Sequence, residues 1–208
     1  MNKLYSFLFI LIAVASCNSA IRETKSLSTQ LQSGDIIFQS TLSRQCEAVK
    51  LATKSDYSHV GILFEEEGKW MVYEAVQPVK KTELSEWIAR GENGHYVVKR
   101  LKNDESLTTP TLQKMKEIAA TDLGKNYDIY FNWSDDEIYC SELVWKVYDE
   151  GANIHLGELR QLKEFDLTSP QVKAIMSERY GSNIPYDEQV IAPSALFDCE
   201  LLTLVESN

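Results

Sequence analysis

The sequence predicts an α+β domain, and three features predict it. β-rich runs cluster as a hairpin, amphipathic helices follow them, and no regular strand–helix–strand alternation joins the two groups. The hairpin sets His59–Phe64 against Lys69–Val76 across the acidic turn Glu65-Glu66-Glu67-Gly68. The clearest helix is Glu137–Glu150. There Cys140, Leu143, Val144, Val147 and Tyr148 recur on one helical face, and Gly151 ends the pattern.

The other elements follow in order along the chain. Asp35–Gln39 is a short apolar strand introduced by Gly34. Thr41–Thr53 carries Leu42, Cys46, Val49 and Ala52 at helical spacing, which makes Cys46 a core residue. Thr82–Ala89 reads as a short helix ended by Gly91, and His95–Leu101 as a strand through Tyr96, Val97 and Val98. Pro110–Leu123 is a helix with Pro at its start, Leu112, Met115, Ile118 and Ala119 on one face, and Gly124 beyond its end. A helix near Pro193 and a strand over Leu201–Val205 complete the set.

Composition narrows the class of function. The chain has 208 residues, 44% hydrophobic and 25% charged, which suits a packed domain and not a disordered segment. Lys and Arg number 21 against 31 Asp and Glu, a net charge of −10. Such a chain repels phosphate backbones, so nucleic acid is not an expected partner. Residues 1–16 read as a leader: Lys3, then an apolar run from Leu4 to Ala15, then Val14-Ala15-Ser16-Cys17. Small residues directly before a cysteine resemble the lipobox of bacterial lipoproteins, in which that cysteine becomes the first residue and carries lipid. The alternative is an ordinary secretory signal cut after Ser19. On the lipoprotein reading residues 17–32 are a polar tether and 33–208 the domain. The expected location is then the bacterial cell envelope, with the membrane a partner through a lipid on Cys17.

The hairpin also carries the first chemical signal. With its turn centred between Glu66 and Glu67, His59 lies directly across from Glu74. A carboxylate beside an imidazole fixes its tautomer and stabilises the imidazolium, the orienting role in a nucleophile–base–orienter triad. A surface cross-strand pair is the plainer alternative. The matching nucleophile is a cysteine. Cys140 lies near a helix start, where free N–H groups and the helix dipole favour a thiolate; taken alone, a buried inert thiol is the plainer reading. Ser134 and Glu137 also fit a capping box, which would bury Cys140 in the second turn; the chemistry needs the later start. Cys46 and Cys199 are a disulfide option in an exported chain. His95 and His155 have no Cys, His or carboxylate cluster at ligand spacing, so no metal and no cofactor are expected.

Four segments in this order resemble one family. They are Gly34-Asp35-Ile36-Ile37-Phe38, Tyr57-Ser58-His59-Val60-Gly61-Ile62, Val72-Tyr73-Glu74-Ala75-Val76 and Tyr139-Cys140-Ser141-Glu142-Leu143-Val144. Together they resemble the permuted papain-like amidases of the YiiX kind, grouped with NlpC-type cysteine peptidases and related to the lecithin–retinol acyltransferase group. The resemblance runs from Gly34 to the Pro193-Ser194-Ala195-Leu196 segment. It implies a circularly permuted papain-like fold, with an antiparallel sheet packed against the helix that bears the cysteine. It also implies Cys140 as nucleophile, His59 as general base and Glu74 as orienting group. Gly124-Lys125-Asn126-Tyr127-Asp128 resembles a further segment of the family. Tyr127, Asp128 and Tyr57 are the expected substrate-binding residues, with Asp128 set to take a substrate ammonium.

The expected function is therefore a cysteine hydrolase of peptides or amino-acid amides, with cell-wall peptide stems among its substrates. Two alternatives stay open. One is a lipid-directed acyl hydrolase or acyltransferase, which a membrane tether would equally serve. The other is a non-catalytic binding lipoprotein on the same scaffold.

Overall fold

The computed structural model describes residues 30–208; the expected leader, Cys17 and most of the expected tether lie outside the described residues. The elements, in chain order, are β1 (Ile36–Gln39), α1 (Arg44–Thr53), β2 (His59–Glu66), β3 (Lys69–Glu74), β4 (Lys80–Glu83) and α2 (Leu84–Arg90). They continue with β5 (Val97–Leu101), α3 (Thr109–Thr121), α4 (Cys140–Ala152), β6 (Arg160–Gln161) and α5 (Pro170–Tyr180). The last are β7 (Gln189–Val190), α6 (Pro193–Phe197) and β8 (Leu202–Ser207). One compact unit spans Gln32–Asn208.

Six strands form one sheet in the order β4-β3-β2-β1-β5-β8, and every neighbouring pair is antiparallel. Grouped antiparallel strands beside separate helices make this an α+β fold. Val60, Ile62 and Phe64 alternate onto one face of β2 and join one core with Met115 of α3 and Leu143, Val144, Val147 and Tyr148 of α4. Helix α4 is thus the main cover of that face. Gly151 lets α3 approach it closely, because a Cβ there would meet Met115 Cγ at 2.5 Å. A second apolar cluster joins α1 to α5 through Ala48, Val172 and Met176, with Leu162 beside them.

The first residues of the unit are pinned by a buried charge. Asp35 accepts from Arg100 Nε at 2.6 Å and Arg100 Nη2 at 2.7 Å, and the N–H of Gln32 donates to it at 2.8 Å. Tyr148 of α4 donates its hydroxyl to the carbonyl of Gly34 at 2.5 Å, fixing β1 to the helix layer.

The hairpin register differs from the expected one. Glu66 pairs with Lys69 and Ile62 with Tyr73, so the turn is Glu67-Gly68, both with positive φ (51° and 78°). Extrapolated, that register sets Glu74 across from Gly61, two residues away from His59. A slip of two keeps side chains on their original face, because strand side chains alternate with period two. His59 and Glu74 therefore remain diagonal neighbours on one face. A slip of one would have separated them. Gly61 leaves the space between them open: a Cβ on it would meet Val72 Cγ1 at 2.4 Å and Tyr73 O at 3.0 Å.

Four elements went unforeseen. β4 precedes α2 and supplies the residues expected to start a helix at Thr82; the helix begins at Leu84 instead. Helix α5 and the small β6–β7 pair have no counterpart among the sequence expectations.

Gly61→Ala should destabilise the domain by about 1–3 kcal/mol through overpacking against β3. Urea unfolding would show it as a lower midpoint at unchanged slope, whereas Gly68→Asn in the open turn should cost less.

Candidate active site

Cys140 occupies the first position of α4. Tyr139 is extended (φ −105°, ψ 168°), and the helix starts at the next residue. The thiol therefore lies where backbone N–H groups have no intrahelical acceptor. The expected start at Glu137 is displaced by a local competitor. Ile138 N–H donates to Asn126 O at 3.2 Å and Asp128 N–H donates to Ile138 O at 3.2 Å, which holds the approach to Cys140 extended. Tyr127 and Ile138 form a parallel bridge there. Ser134 does not cap the helix; its carbonyl accepts from Lys146 Nζ at 2.7 Å. Glu142 takes the capping role, accepting the Tyr139 N–H at 3.4 Å and meeting Lys146 Nζ at 2.8 Å. Burial pushes the Glu142 carboxyl up to about 7, and Lys146 opposes that shift.

His59, the first residue of β2, turns its imidazole to both partners. Nε2 lies 2.7 Å from Glu74 Oε2, and the Cys140 thiol lies close enough to the ring to help raise its pKa. With Nε2 taken by the carboxylate, Nδ1 is the nitrogen left for sulfur. Burial disfavours the imidazolium. Cys140 and Glu74 beside the ring outweigh it and raise His59 to about 10. Trp87 stacks on the ring at 5.9 Å between centroids.

Glu74 is fully buried, yet it stays ionised because it is surrounded by donors. Thr82 Oγ1 donates to Oε1 at 2.5 Å, Trp87 Nε1 to Oε2 at 3.0 Å, and Arg90 Nη2 also donates to Oε1. Burial pushes its pKa up, but His59, Thr82 and Arg90 together hold it below the usual carboxylate value. The structure thus brings Cys140, His59 and Glu74 together.

The remaining expectations separate. Tyr127 lines the space beside Cys140, its hydroxyl accepting from Gln45 Nε2 at 2.9 Å and its N–H donating to Gln77 Oε1 at 2.7 Å. Asp128 is not offered to a ligand. It is 1% exposed, and its two oxygens accept the N–H groups of Tyr130 at 2.7 Å and Asn132 at 2.6 Å. An aspartate that ties its own loop leaves no oxygen for an ammonium. Tyr57 faces elsewhere, stacked on Phe197 at 4.2 Å and on His95 at 6.1 Å. Both are corrections to the expected binding set.

Cys46 also departs from expectation. It is half-buried, with Sγ 3.1 Å from Thr41 Oγ1, and it borders the cleft with His59 instead of packing in the core. Cys46 and Cys199 are both free thiols, so they form no disulfide. Cys199 Sγ accepts the Gly157 N–H at 3.3 Å.

Several residues of the site carried no sequence signal. Gln39 pairs with His59 across β1 and β2, so both side chains share a face. It is fully buried on the wall of a cleft of about 750 Å³, and neither its amide N nor its amide O has a hydrogen-bond partner among the described residues. Thr82, Trp87 and Arg90 reach Glu74 only because β4 and α2 fold back beside β3. Only knowledge of the strand pairing would have found them.

Comparison with known proteins agrees with this geometry. Residues 30–206 match the model of the family described as permuted papain-like amidase enzyme, YaeF/YiiX, C92 family. The uncharacterized protein YiiX of Escherichia coli (strain K12) is 52% identical over 176 residues, covering 85% of this chain and 86% of that protein. A crystal structure of yiiX from Escherichia coli O157:H7, described as a metalloprotein, superposes with a TM-score of 0.83 at 51% identity. That match covers 86% of this chain and 98% of the other. Among the described residues of this chain, no group of three or more His, Cys, Asp or Glu is placed to hold a metal ion. The family match over residues 30–206, together with the 52% identical relative, makes this chain a member of the permuted papain-like amidase family.

Proposed function

We propose that the chain hydrolyses amide bonds of peptides or amino-acid amides through a Cys140–His59–Glu74 triad. The observation that carries this reading is the placement of the imidazole: one nitrogen bonds a carboxylate that is fully buried, and the ring lies within electrostatic reach of the thiol at a helix N-terminus.

In the proposed reaction the Cys140 thiolate attacks the carbonyl carbon, forming the S–C bond while the C–O π pair moves to oxygen. Backbone N–H at the start of α4 stabilises that oxyanion. His59 gives its proton to the leaving nitrogen as the C–N bond breaks. Water, losing a proton to His59, then cleaves the thioester and restores the thiol. Glu74 orients the ring and stabilises its positive charge throughout. Gln39, fully buried on the cleft wall with an unpartnered amide, is proposed to meet the substrate's polar atoms by a change of rotamer into the cleft, and Tyr127 borders the same space. We further propose that residues 1–16 are a leader and that Cys17 bears lipid, which holds the enzyme at the envelope facing cell-wall peptides.

The test is hydrolysis of peptide amides by the wild type and by Cys140→Ala, which should lose all turnover while keeping its fold. Persistent turnover in Cys140→Ala would sink the triad. The pH dependence has a definite sign. His59 is raised to about 10, so kcat/KM should fall as pH rises through that value and the imidazolium is lost. The stability contributed by His59 is complete below its unfolded value of about 6.5 and disappears through the same upper interval. Glu74 is depressed, so its contribution is present above about 4.3 and lost as pH falls further. Glu74→Gln should lower the rate by about 10²–10⁴-fold and pull the alkaline limb downward.

Gln39→Met should leave unfolding stability equal or higher, because it removes two unpaired buried polar atoms. It should also lower kcat/KM, measured beside urea unfolding of the same variant. Cys17→Ser in the full chain should move the protein from the membrane fraction to the soluble fraction, and an unchanged distribution would argue against lipid at that position.

A further inference from the structure

Beside the triad lies a second space of different chemistry. A half-open chamber of about 100 Å³ reaches Cys140 and Ser141 at the tip of α4 and shares Gln45, Ser58 and Tyr127 with the His59 cleft. Its walls come from α1 and α5, chiefly Ala48, Ala52, Val172, Ile175 and Met176. No carboxylate lines it.

The polar groups that border the chamber are engaged with one another. Gln45 Nε2 donates to Tyr127 Oη, and Gln45 Oε1 accepts from Arg179 Nη2 at 2.6 Å. The Arg179 guanidinium also sits 5.1 Å from the Phe131 ring centre. Tyr139 Oη accepts the Ile191 N–H at 3.1 Å, and Ser141 Oγ donates to Ile191 O at 2.8 Å. A polar or cationic occupant would therefore lose its water without gaining partners. An aliphatic group would lose nothing and fill the void.

We propose that this chamber is the pocket for a compact aliphatic group on the acyl side of the scissile bond, a deepening that rests on the thiol-hydrolase reading. The site selects carbonyl substrates whose acyl carbon leads to an unbranched or branched aliphatic group of limited size. By proportion to a ~150 Å³ cavity that holds benzene, the chamber takes roughly four carbon atoms. The same chemistry is presented by a leucine-like side chain of a peptide and by a short fatty acyl group.

Aldehydes test this without a known substrate. The Cys140 thiolate adds to an aldehyde carbonyl, forming an S–C bond while the oxygen takes the proton held by His59, so the aldehyde's alkyl group lies where an acyl group would. The measurement is protection of Cys140 from iodoacetamide, with labelled peptides mapped, in the full chain. Pentanal should protect at concentrations roughly tenfold or more below acetaldehyde, given the ~0.8 kcal/mol of each added CH₂. Octanal should lose that gain. N-acetyl-leucinal against pentanal then distinguishes a peptide side chain from an acyl chain as the source.

Ala48→Leu should shrink the chamber and erase the pentanal advantage. Met176→Ala should enlarge it and move the optimum to longer aldehydes, a change in the opposite direction that no general loss of folding would mimic. Equal protection by every aldehyde, or stronger protection by succinic semialdehyde than by pentanal, would overturn the pocket. If no aldehyde protects, and Cys140 reacts no faster than Cys46 and Cys199, the thiol-hydrolase reading falls together with it.

Discussion

A carboxylate with no solvent contact must be met by donors, and Glu74 sets the terms for everything around it. An ionised carboxylate buried without partners would cost many times the stability of a domain or else take up a proton. Here four side chains from three separate elements supply what water would have supplied: His59 from β2, Thr82 from β4, and Trp87 and Arg90 from α2. The order β4-β3-β2 is what brings them together. The same contacts that satisfy Glu74 hold the imidazole in one orientation and keep it charged. Structural necessity and chemical function therefore coincide at one group.

The placement of Cys140 depends on a second constraint, the position at which α4 begins. Sequence favours helix earlier, but the parallel bridge between Tyr127 and Ile138 uses the backbone that would have formed its first turn. Lys146 reinforces this by reaching back to Ser134, Asp135 and Glu142. Cys140 is consequently the first helical residue, with N–H groups free around it. The helix then runs over β2 with Leu143, Val144 and Val147, and this apolar contact, not the site itself, fixes its position. Packing supplies the rigidity, and the polar ends supply the chemistry.

Two neighbouring spaces share Gln45, Ser58 and Tyr127, and they differ in kind. The cleft beside His59 is broad and bordered by Gln39, Gln77, Arg90 and Tyr127. The chamber behind Cys140 is small and apolar, built where the α1–α5 cluster falls short of complete packing. Such a division suits a substrate with a polar part on one side of its carbonyl and an apolar part on the other.

The sequence alone determined which residues could do chemistry and which faces would be buried. Alternation in His59–Phe64 and the helical period of Cys140–Tyr148 are local patterns, written by neighbours in the chain, and they held in the folded domain. That His59, Glu74 and Cys140 would lie near one another was legible because their residue types and their order matched a known pattern. Asp128, Tyr57 and Cys46 were misread for one shared reason: a side chain's partner comes from whatever packs against it. Asp128 turned to its own loop, Tyr57 to Phe197, and Cys46 to the cleft through Thr41. Gln39, Arg90 and the α5 wall of the chamber were invisible for the same reason. Only the tertiary structure decided them, because strand pairing and helix docking join residues far apart in sequence, and a polar group's role is fixed by which donors and acceptors that joining leaves within reach.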